Sequence, residues 1–294
     1  MKPVAFDYYC PATLEEALNT LASLGYNGKV IAGGQSLVPA MNFRMAQPAA
    51  LVDINKLTEL DYIRPAQDGG VLIGALTRDS KLENDPLIAE RAPMFRAALP
   101  HLGHPQIRNR GTVGGSVAHA DPAGQIPLVV TALNARFRVM SQKGERSFNV
   151  EEFFVTLFTT AMTENEILVE IAIPPLPKRS GWSYHQVARQ HGAAVLVGIG
   201  AVVAVDDKGR CSQARLAYLG VGEKPEVAVE AVKSLIGQAP TVEAFDAVAA
   251  TALEKDLDPG SDIHSSTEYR RHLVKILTRR ALTEAFERAL KGRG

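Results

Sequence analysis

Two pairs of adjacent glycines, far apart in the sequence, constrain this chain more than any other feature. The first pair lies in Gly33-Gly34-Gln35-Ser36, directly after a predicted strand. The second lies in Gly111-Thr112-Val113-Gly114-Gly115-Ser116, which is predicted to be a loop that also follows a strand. Successive backbone N–H groups in such a turn can point into one concavity and bind an anion. The sequence therefore offers two candidate anion sites, and the alternative for each pair is an ordinary tight turn.

A dinucleotide would need both candidate sites at once, because its pyrophosphate joins the two halves of the ligand. Gly34 and Gly114 lack a Cβ atom where phosphate oxygens are expected to approach. The hydroxyl groups of Ser36, Thr112 and Ser116 add hydrogen-bond donors beside the two pairs. We therefore expect the two segments to converge over one pyrophosphate group.

The common nucleotide-binding and catalytic signatures are absent from the sequence. There is no GxxxxGK[ST] P-loop, and no GxGxxG follows a predicted strand, since Gly198-Ile199-Gly200 lies inside an apolar run. No serine lies in a GxSxG elbow, and His101, His104 and His119 lack the spacing of metal ligands. These absences disfavour phosphoryl transfer, hydride transfer on a Rossmann domain, serine hydrolysis and a metal centre. No catalytic side chain and no metal ligand are predicted.

Charge and cysteine content narrow the function classes further. The 32 Lys and Arg residues balance 32 Asp and Glu residues, so the composition does not favour nucleic acid or an anionic membrane as a partner. The longest apolar stretch, 193–205, is far shorter than the ~20 residues of a membrane-spanning helix, and the amino terminus is not expected to be a secretion signal. Cys10 and Cys211 are too few for a disulfide framework or an iron–sulfur site. We expect a cytoplasmic protein, and any redox chemistry it performs would need an organic cofactor or a carrier held by another chain.

Hydrophobic periodicity and turn residues predict an α+β organisation. A capping box at Thr13-Leu14-Glu15-Glu16 starts the first helix, and Pro174, Pro175 and Pro177 mark a domain boundary, because prolines so close together cannot continue a central strand. Before the boundary we predict strands at 29–32, 50–54, 71–75, 136–140 and 167–173, and helices at 86–99 and 126–133. After it we predict strands at 182–189, 195–205 and 211–219, helices at 227–236 and 242–253, and a long last helix capped by 265–268.

Six motifs, taken in order along the chain, resemble one known family. They are Ala32-Gly33-Gly34-Gln35-Ser36-Leu37-Val38-Pro39, Leu51-Val52-Asp53-Ile54, Gln106-Ile107-Arg108-Asn109-Arg110-Gly111-Thr112-Val113-Gly114-Gly115, Ala118-His119-Ala120-Asp121-Pro122-Ala123, Glu166-Ile167-Leu168 and Tyr269-Arg270-Arg271. With them the chain closely resembles, over nearly its whole length, the FAD-binding medium subunit of molybdenum hydroxylases. This is the family of the carbon monoxide dehydrogenase flavoprotein and of the flavin domain in xanthine dehydrogenase.

The resemblance implies a two-subdomain, PCMH-type FAD-binding region followed by a C-terminal domain of antiparallel strands plus helices. The implied bounds are 1–56 and 57–176 for the two subdomains and 177–294 for the C-terminal domain. FAD is the implied cofactor, held at its pyrophosphate by the two glycine segments, with Leu168 against the isoalloxazine ring. The implied cofactor-binding residues are Ala32, Gly33, Gly34, Gln35, Ser36, Gly111, Thr112, Gly114, Gly115, Ser116, Asp121, Gln125 and Leu168.

The resemblance also implies that the chain is an electron-transfer subunit. Its partners would be a large molybdopterin subunit, where substrate is oxidised, and a small subunit with two [2Fe–2S] clusters, in a dimer of heterotrimers. Electrons would pass from the clusters to FAD and then to an external acceptor. Two other interpretations stay open: a stand-alone flavin oxidase or dehydrogenase, and a non-catalytic nucleotide-binding or assembly subunit.

Three positions depart from the family pattern. Gln125 stands where the family usually has an acid near the flavin, although an amide can still donate and accept hydrogen bonds. His191-Gly192-Ala193-Ala194 stands where the family usually has Arg-x-Gly-Asp-aromatic, and Gln186 stands where a basic residue is common. Because a methyl group replaces the aromatic ring, we expect a flavin face that is more open to solvent or to a bulky acceptor.

Overall fold

The computed structural model describes residues 1–291, and its first part is a parallel three-stranded sheet covered by one helix. Its elements are β1 (Asp7–Tyr9), α1 (Leu14–Leu24), β2 (Gly28–Ile31), α2 (Leu37–Asn42) and β3 (Ala50–Asp53). The strand order is β1-β3-β2. As predicted, the Thr13 hydroxyl accepts the N–H of Glu16 and starts α1. The helix then buries Ala17, Leu18 and Leu21 in a core that also contains Val52.

The second part is a five-stranded antiparallel sheet with short helices packed against it. Its elements are β4 (Ile63–Pro65), β5 (Val71–Gly74), α3 (Asp79–Asn84), α4 (Pro86–Arg91), α5 (Met94–Ala98), α6 (Pro105–Arg108), α7 (Val113–His119), α8 (Gln125–Ala132), β6 (Arg136–Ser141), β7 (Gly144–Asn149), α9 (Val150–Phe153), β8 (Phe154–Thr156), β9 (Thr159–Thr160) and β10 (Ile167–Ile173). The strand order is β4-β5-β10-β6-β7, and β8 pairs with β9 as a separate hairpin. Phe95, Phe137 and Phe153 are the largest fully buried side chains of its core.

The prediction of a single helix at 86–99 is wrong, because the structure has two separate helices there. Helix α4 ends at Arg91 and α5 begins at Met94, with Ala92 at φ −138° between them. Pro93 has no N–H to continue the first helix, and its ring disfavours the helical conformation for the residue before it. The break therefore follows from one proline inside an otherwise helical hydrophobic pattern.

The last part is a four-stranded antiparallel sheet with three helices. Its elements are β11 (Ser180–Ala188), β12 (Val195–Val205), β13 (Cys211–Leu219), β14 (Glu226–Val227), α10 (Val229–Leu235), α11 (Val242–Thr251) and α12 (Thr267–Lys291). The strand order is β11-β12-β13-β14, so the three predicted C-terminal strands and their antiparallel pairing are confirmed. The implied domain bounds stay a prediction, and residues 292–294 at the end of the last one lie outside the described residues.

Strand β12 is buried along its whole length because helices cover both of its faces. Val197, Ile199 and Ala201 face the core that contains α12. On the other face, a Cβ atom on Gly198 or Gly200 would lie 3.2 Å from Leu128 or 2.6 Å from Ala132 of α8. The Gly198-Ile199-Gly200 sequence therefore serves close packing between α8 and the sheet, which agrees with excluding it as a dinucleotide fingerprint.

Residues 1–291 contain no helix with the length and hydropathy needed to cross a bilayer. Nor do three or more His, Cys, Asp or Glu side chains within this range come together as metal ligands. Cys10 is half-buried, Cys211 is buried, and both are free thiols.

Candidate cofactor site

The first glycine segment forms a turn between β2 and α2 whose backbone donors are unused. Gly34 has a φ of +74°, a conformation that glycine adopts without strain. Among residues 1–291, no partner accepts a hydrogen bond from the backbone N–H groups of Gly33, Gly34, Gln35 or Ser36. These four consecutive donors lie at one turn, where Gly33 is buried and Gly34 half-buried, and they suit a ligand with acceptor oxygens.

Asn55 supports this turn from behind. Its side-chain amide donates to the carbonyl of Ala32 at 2.8 Å, and it is held in turn by Asp53, whose Oδ1 accepts both the backbone N–H and the side-chain amide of Asn55. Burial alone would raise the pKa of Asp53, but hydrogen bonds from Tyr8 and Asn55 outweigh it and hold the pKa below its usual range. The ionised Asp53 at the end of β3 thus fixes the support of the first segment.

The second glycine pair is not in a loop that follows a strand, as the sequence predicted. It follows helix α6, and Gly114 and Gly115 lie in the first turn of α7. Thr112 caps this helix, and its hydroxyl accepts the N–H of Gly115 at 3.1 Å. The N–H groups of Val113 and Gly114 donate to the carbonyls of Thr77 and Ala75.

The reason why position 114 requires a glycine also differs from the predicted one. A Cβ there would lie 2.5 Å from the Cβ of Ala75 and 2.7 Å from its Cα, so that space is filled by protein and a phosphate oxygen cannot enter it. Gly115 is exposed, and the nearest atom to a Cβ at that position is the Thr112 hydroxyl oxygen at 2.7 Å. Gly115 is therefore the glycine of this pair that a ligand could approach.

The two glycine segments converge, as the sequence predicted. A Cβ on Gly33 would lie 2.9 Å from the Cα of Gly111 and would overlap the carbonyl oxygen of Arg110. The Arg78 guanidinium strengthens this contact, because its Nη2 donates to Asn55 Oδ1 at 2.7 Å and its Nη1 donates to the Arg110 carbonyl. One side chain thus links the support of the first segment to the backbone of the second.

The remaining predicted cofactor residues lie in different surroundings. Ser116 is half-buried in α7, and Asp121 Oδ1 accepts the N–H of Ala123 at 2.8 Å. Gln125 is 8% exposed at the start of α8, where its side chain donates to the His101 carbonyl. Leu168 is 4% exposed in β10 and belongs to the main core, so little of its side chain is free for a flavin ring.

Aromatic and histidine rings line the seam between the helices of the second sheet and strand β11. His101 stacks on Tyr184 with ring centroids 6.1 Å apart, and His104 and His191 lie 5.8 Å apart. Burial, and after it the charge of His191, lowers the pKa of His101. The segment 191–194, which ends at Ala194, lies beside this seam, and all of its residues except the half-buried Ala193 are exposed.

A second ring pair lies at the end of α7. His119 packs on Phe158 with centroids 5.1 Å apart, and the Phe158 N–H donates to the Ala120 carbonyl. Burial lowers the pKa of His119 although the charge of Asp121 acts in the opposite direction.

Sequence reasoning missed Asn55, Arg78, Tyr184 and Phe158. Asn55 carried a usable signal, because it follows the end of a buried strand. The other three carried none, since each acts through a partner far away in the sequence.

The family of the chain follows from two sequence matches. Residues 4–176 match the FAD binding domain in molybdopterin dehydrogenase, and residues 182–285 match the CO dehydrogenase flavoprotein C-terminal domain. The chain belongs to the FAD-binding subunits of molybdopterin dehydrogenases. It is therefore an oxidoreductase subunit of the molybdenum hydroxylase class with FAD as its cofactor.

Relatives of these FAD-binding subunits match the chain over nearly all of its length. The 6-hydroxypseudooxynicotine dehydrogenase complex subunit alpha of Paenarthrobacter nicotinovorans is 41% identical over 98% of this chain and 97% of its own. The nicotine 6-hydroxylase medium subunit of the same organism is 39% identical over 97% of this chain and 99% of its own. A solved structure of carbon monoxide dehydrogenase from Hydrogenophaga pseudoflava matches with a TM-score of 0.94 at 35% identity, covering 98% of this chain and 99% of that one.

Proposed function

We propose that this chain takes electrons from [2Fe–2S] clusters of a small partner subunit and passes them, through FAD, to an external acceptor. Substrate would be oxidised at a molybdopterin cofactor on a large subunit, within a cytoplasmic dimer of heterotrimers. The observation that carries the proposal is the contact of Gly33 with Gly111, beside a row of unused backbone N–H groups. Those donors suit the pyrophosphate of FAD, whose flavin supplies the redox chemistry when bound.

The relatives support a role in electron transfer rather than in substrate recognition. Two are named for nicotine or one of its derivatives and one for carbon monoxide, and these substrates share no recognisable chemistry. Similar chains accompany all three activities, so their common task is independent of the substrate. The described cysteines, Cys10 and Cys211, are both free, which agrees with iron–sulfur ligands on another chain.

Purification of the chain with and without its co-expressed partners tests this function. We expect the isolated chain to be yellow and inert toward small substrates, and its flavin to be reduced by substrate only when the partners are present. Turnover by the chain alone would identify a stand-alone flavin oxidase or dehydrogenase. A colourless chain that still joins the complex would identify an assembly subunit.

The exposed segment that ends at Ala194 predicts how an acceptor reaches the flavin. If no aromatic ring of this chain covers the flavin face beside the segment, the new ring of Ala194→Tyr should cover it. Reoxidation of the reduced flavin by oxygen and by quinones should then slow severalfold. Stopped-flow absorbance of the flavin measures both rates. Ala247→Tyr, on the exposed side of α11, is the matched control and should leave them unchanged. Equal rates in wild type and Ala194→Tyr would discard the idea of an open face.

A further inference from the structure

A buried carboxyl group lies directly behind the second glycine segment. Asp79, the first residue of α3, is 2% exposed, and its Oδ1 has no hydrogen-bond partner within residues 1–291. A Cβ on Gly111 would overlap Asp79 Oδ2 and lie 3.2 Å from its Cγ. The Asp79 N–H donates to the Gly111 carbonyl at 3.1 Å. The carboxyl group is therefore packed against the segment and fixed to it by the backbone.

Gly111 lies between this carboxyl group and the first glycine segment. Its Cα would be 2.9 Å from a Cβ on Gly33, while Asp79 Oδ2 fills the space where a Gly111 side chain would stand. Asp79, Gly111 and Gly33 are thus stacked in that order. A movement at Asp79 has to displace Gly111, and with it the contact between the two segments.

The charged groups that act on Asp79 are both occupied elsewhere. The Arg78 guanidinium bonds Asn55 and the Arg110 carbonyl. The guanidinium of Arg108, from α6, bonds Glu83 of α3 at 2.8 Å and also donates to two backbone carbonyls. Neither arginine forms a hydrogen bond with the carboxyl group, so a charge on Asp79 would draw one of them away from its present partners.

Burial raises the pKa of Asp79 to about 7, although the charges of Arg78 and Arg108 act to lower it. The group is therefore mostly neutral below pH 7 and charged above it, whereas an aspartate in the unfolded chain ionises near pH 4. The folded state consequently loses stability as the pH rises from about 4 through 7, and above pH 7 it carries a buried negative charge.

We propose that Asp79 is a positioning residue for FAD: its neutral form keeps the two glycine segments in contact, and its ionised form separates them and weakens FAD binding. The charged carboxylate competes for Arg78, which releases Asn55 and the Arg110 carbonyl. It also places a negative charge across Gly111 from the first segment, whose unused backbone donors face an anionic ligand. This proposal rests on the proposed function, because it requires FAD to lie over the glycine segments.

Fluorescence titration of the full apo-chain with FAD at about pH 6 and about pH 8 tests the proposal. We expect the wild-type dissociation constant to be about tenfold higher at the higher pH, because one pH unit above the pKa of Asp79 only about a tenth of the chains keep the carboxyl group neutral. Asp79→Asn should bind with nearly the same constant at both pH values, because its amide cannot ionise. Its melting temperature without FAD should exceed that of the wild type at the higher pH only.

Two further variants separate positioning from general damage. Arg78→Gln should bind FAD weakly at both pH values and lose most of the pH dependence, since the competed guanidinium is gone. Ser80→Ala, next to Asp79 on α3, should keep the wild-type profile. Burial lowers the pKa of His101 and of His119, and Asp79→Asn leaves both rings unchanged.

The outcomes distinguish this proposal from the one on which it rests. An Asp79→Asn variant that folds and keeps the wild-type pH dependence would overturn the positioning role while leaving the FAD site intact. A wild-type affinity that does not change with pH would overturn it equally. A wild-type chain that binds no FAD at either pH would instead refute the proposed site itself.

Discussion

Replacing Gly33 with valine should remove most of the FAD and destabilise the chain. The new Cβ would overlap the Arg110 carbonyl oxygen and press on the Cα of Gly111, and neither backbone atom can rotate aside. Overpacking of this kind costs about 1–3 kcal/mol or more. Separating the segments also removes hydrogen bonds to charged phosphate oxygens, each worth about 1.5–3 kcal/mol, so we expect the FAD dissociation constant to rise at least about 100-fold.

Gel filtration followed by flavin absorbance measures retention of FAD, and thermal unfolding measures stability. Gly33→Ala should show the same losses as Gly33→Val, because the clash begins at Cβ. Gly260→Val is the matched control, since a Cβ at Gly260 has no atom within 4 Å, and it should retain FAD fully. Full retention of FAD by Gly33→Val would show that the contact with Gly111 is not needed for binding.

The parts of the fold that the sequence predicted are those set by local pattern. The buried strand β12 is a continuous run of apolar and small residues, and the turn at Gly33 and Gly34 comes soon after the short strand β2. The Thr13 cap is likewise a contact between residues three apart. Each of these features depends on neighbours in the sequence, so periodicity and capping rules are sufficient to find it.

The helical conformation of the second glycine pair could not be predicted in this way. Two adjacent glycines are poor helix formers, each about 1 kcal/mol less favourable than alanine. The helix begins there because Thr77 and Ala75, in the segment that follows β5, accept the N–H groups of Val113 and Gly114. Contacts between distant residues thus override local preference, and they also determine why Gly114 must be glycine.

The candidate site was predicted in outline but not in its supports. Convergence of the two glycine segments was expected because one pyrophosphate group would need both, and the family resemblance supplied FAD. Two supports were not predicted, and both join the start of α3 to glycine segments far away in the sequence. One is the hydrogen bonding of Arg78 to Asn55 and to the Arg110 carbonyl, and the other is the packing of the Asp79 carboxyl group against Gly111. No spacing rule marks such residues, because their role exists only after the two sheets are assembled.

The adjacent glycines of α7 should differ in how substitution affects the stability of the chain. Gly114→Val places atoms against the backbone of Ala75 and should lower the free energy of unfolding by about 1–3 kcal/mol or more. Gly115→Ala meets only the Thr112 hydroxyl and gains about 1 kcal/mol of intrinsic helix propensity, so its stability should stay close to that of the wild type. If FAD approaches the exposed side of Gly115, that variant should nevertheless bind it at least about tenfold more weakly.

Thermal unfolding of the FAD-free proteins and FAD titration of each variant separate the two effects. Loss of FAD by Gly114→Val would follow its lower melting temperature and would say nothing of direct contact. Loss of FAD by Gly115→Ala at an unchanged melting temperature would show that the ligand lies beside the exposed side of α7, where the added methyl group takes up space or shifts the Thr112 hydroxyl. Wild-type affinity in Gly115→Ala would therefore place the pyrophosphate away from α7, over the unused N–H groups of the first segment alone.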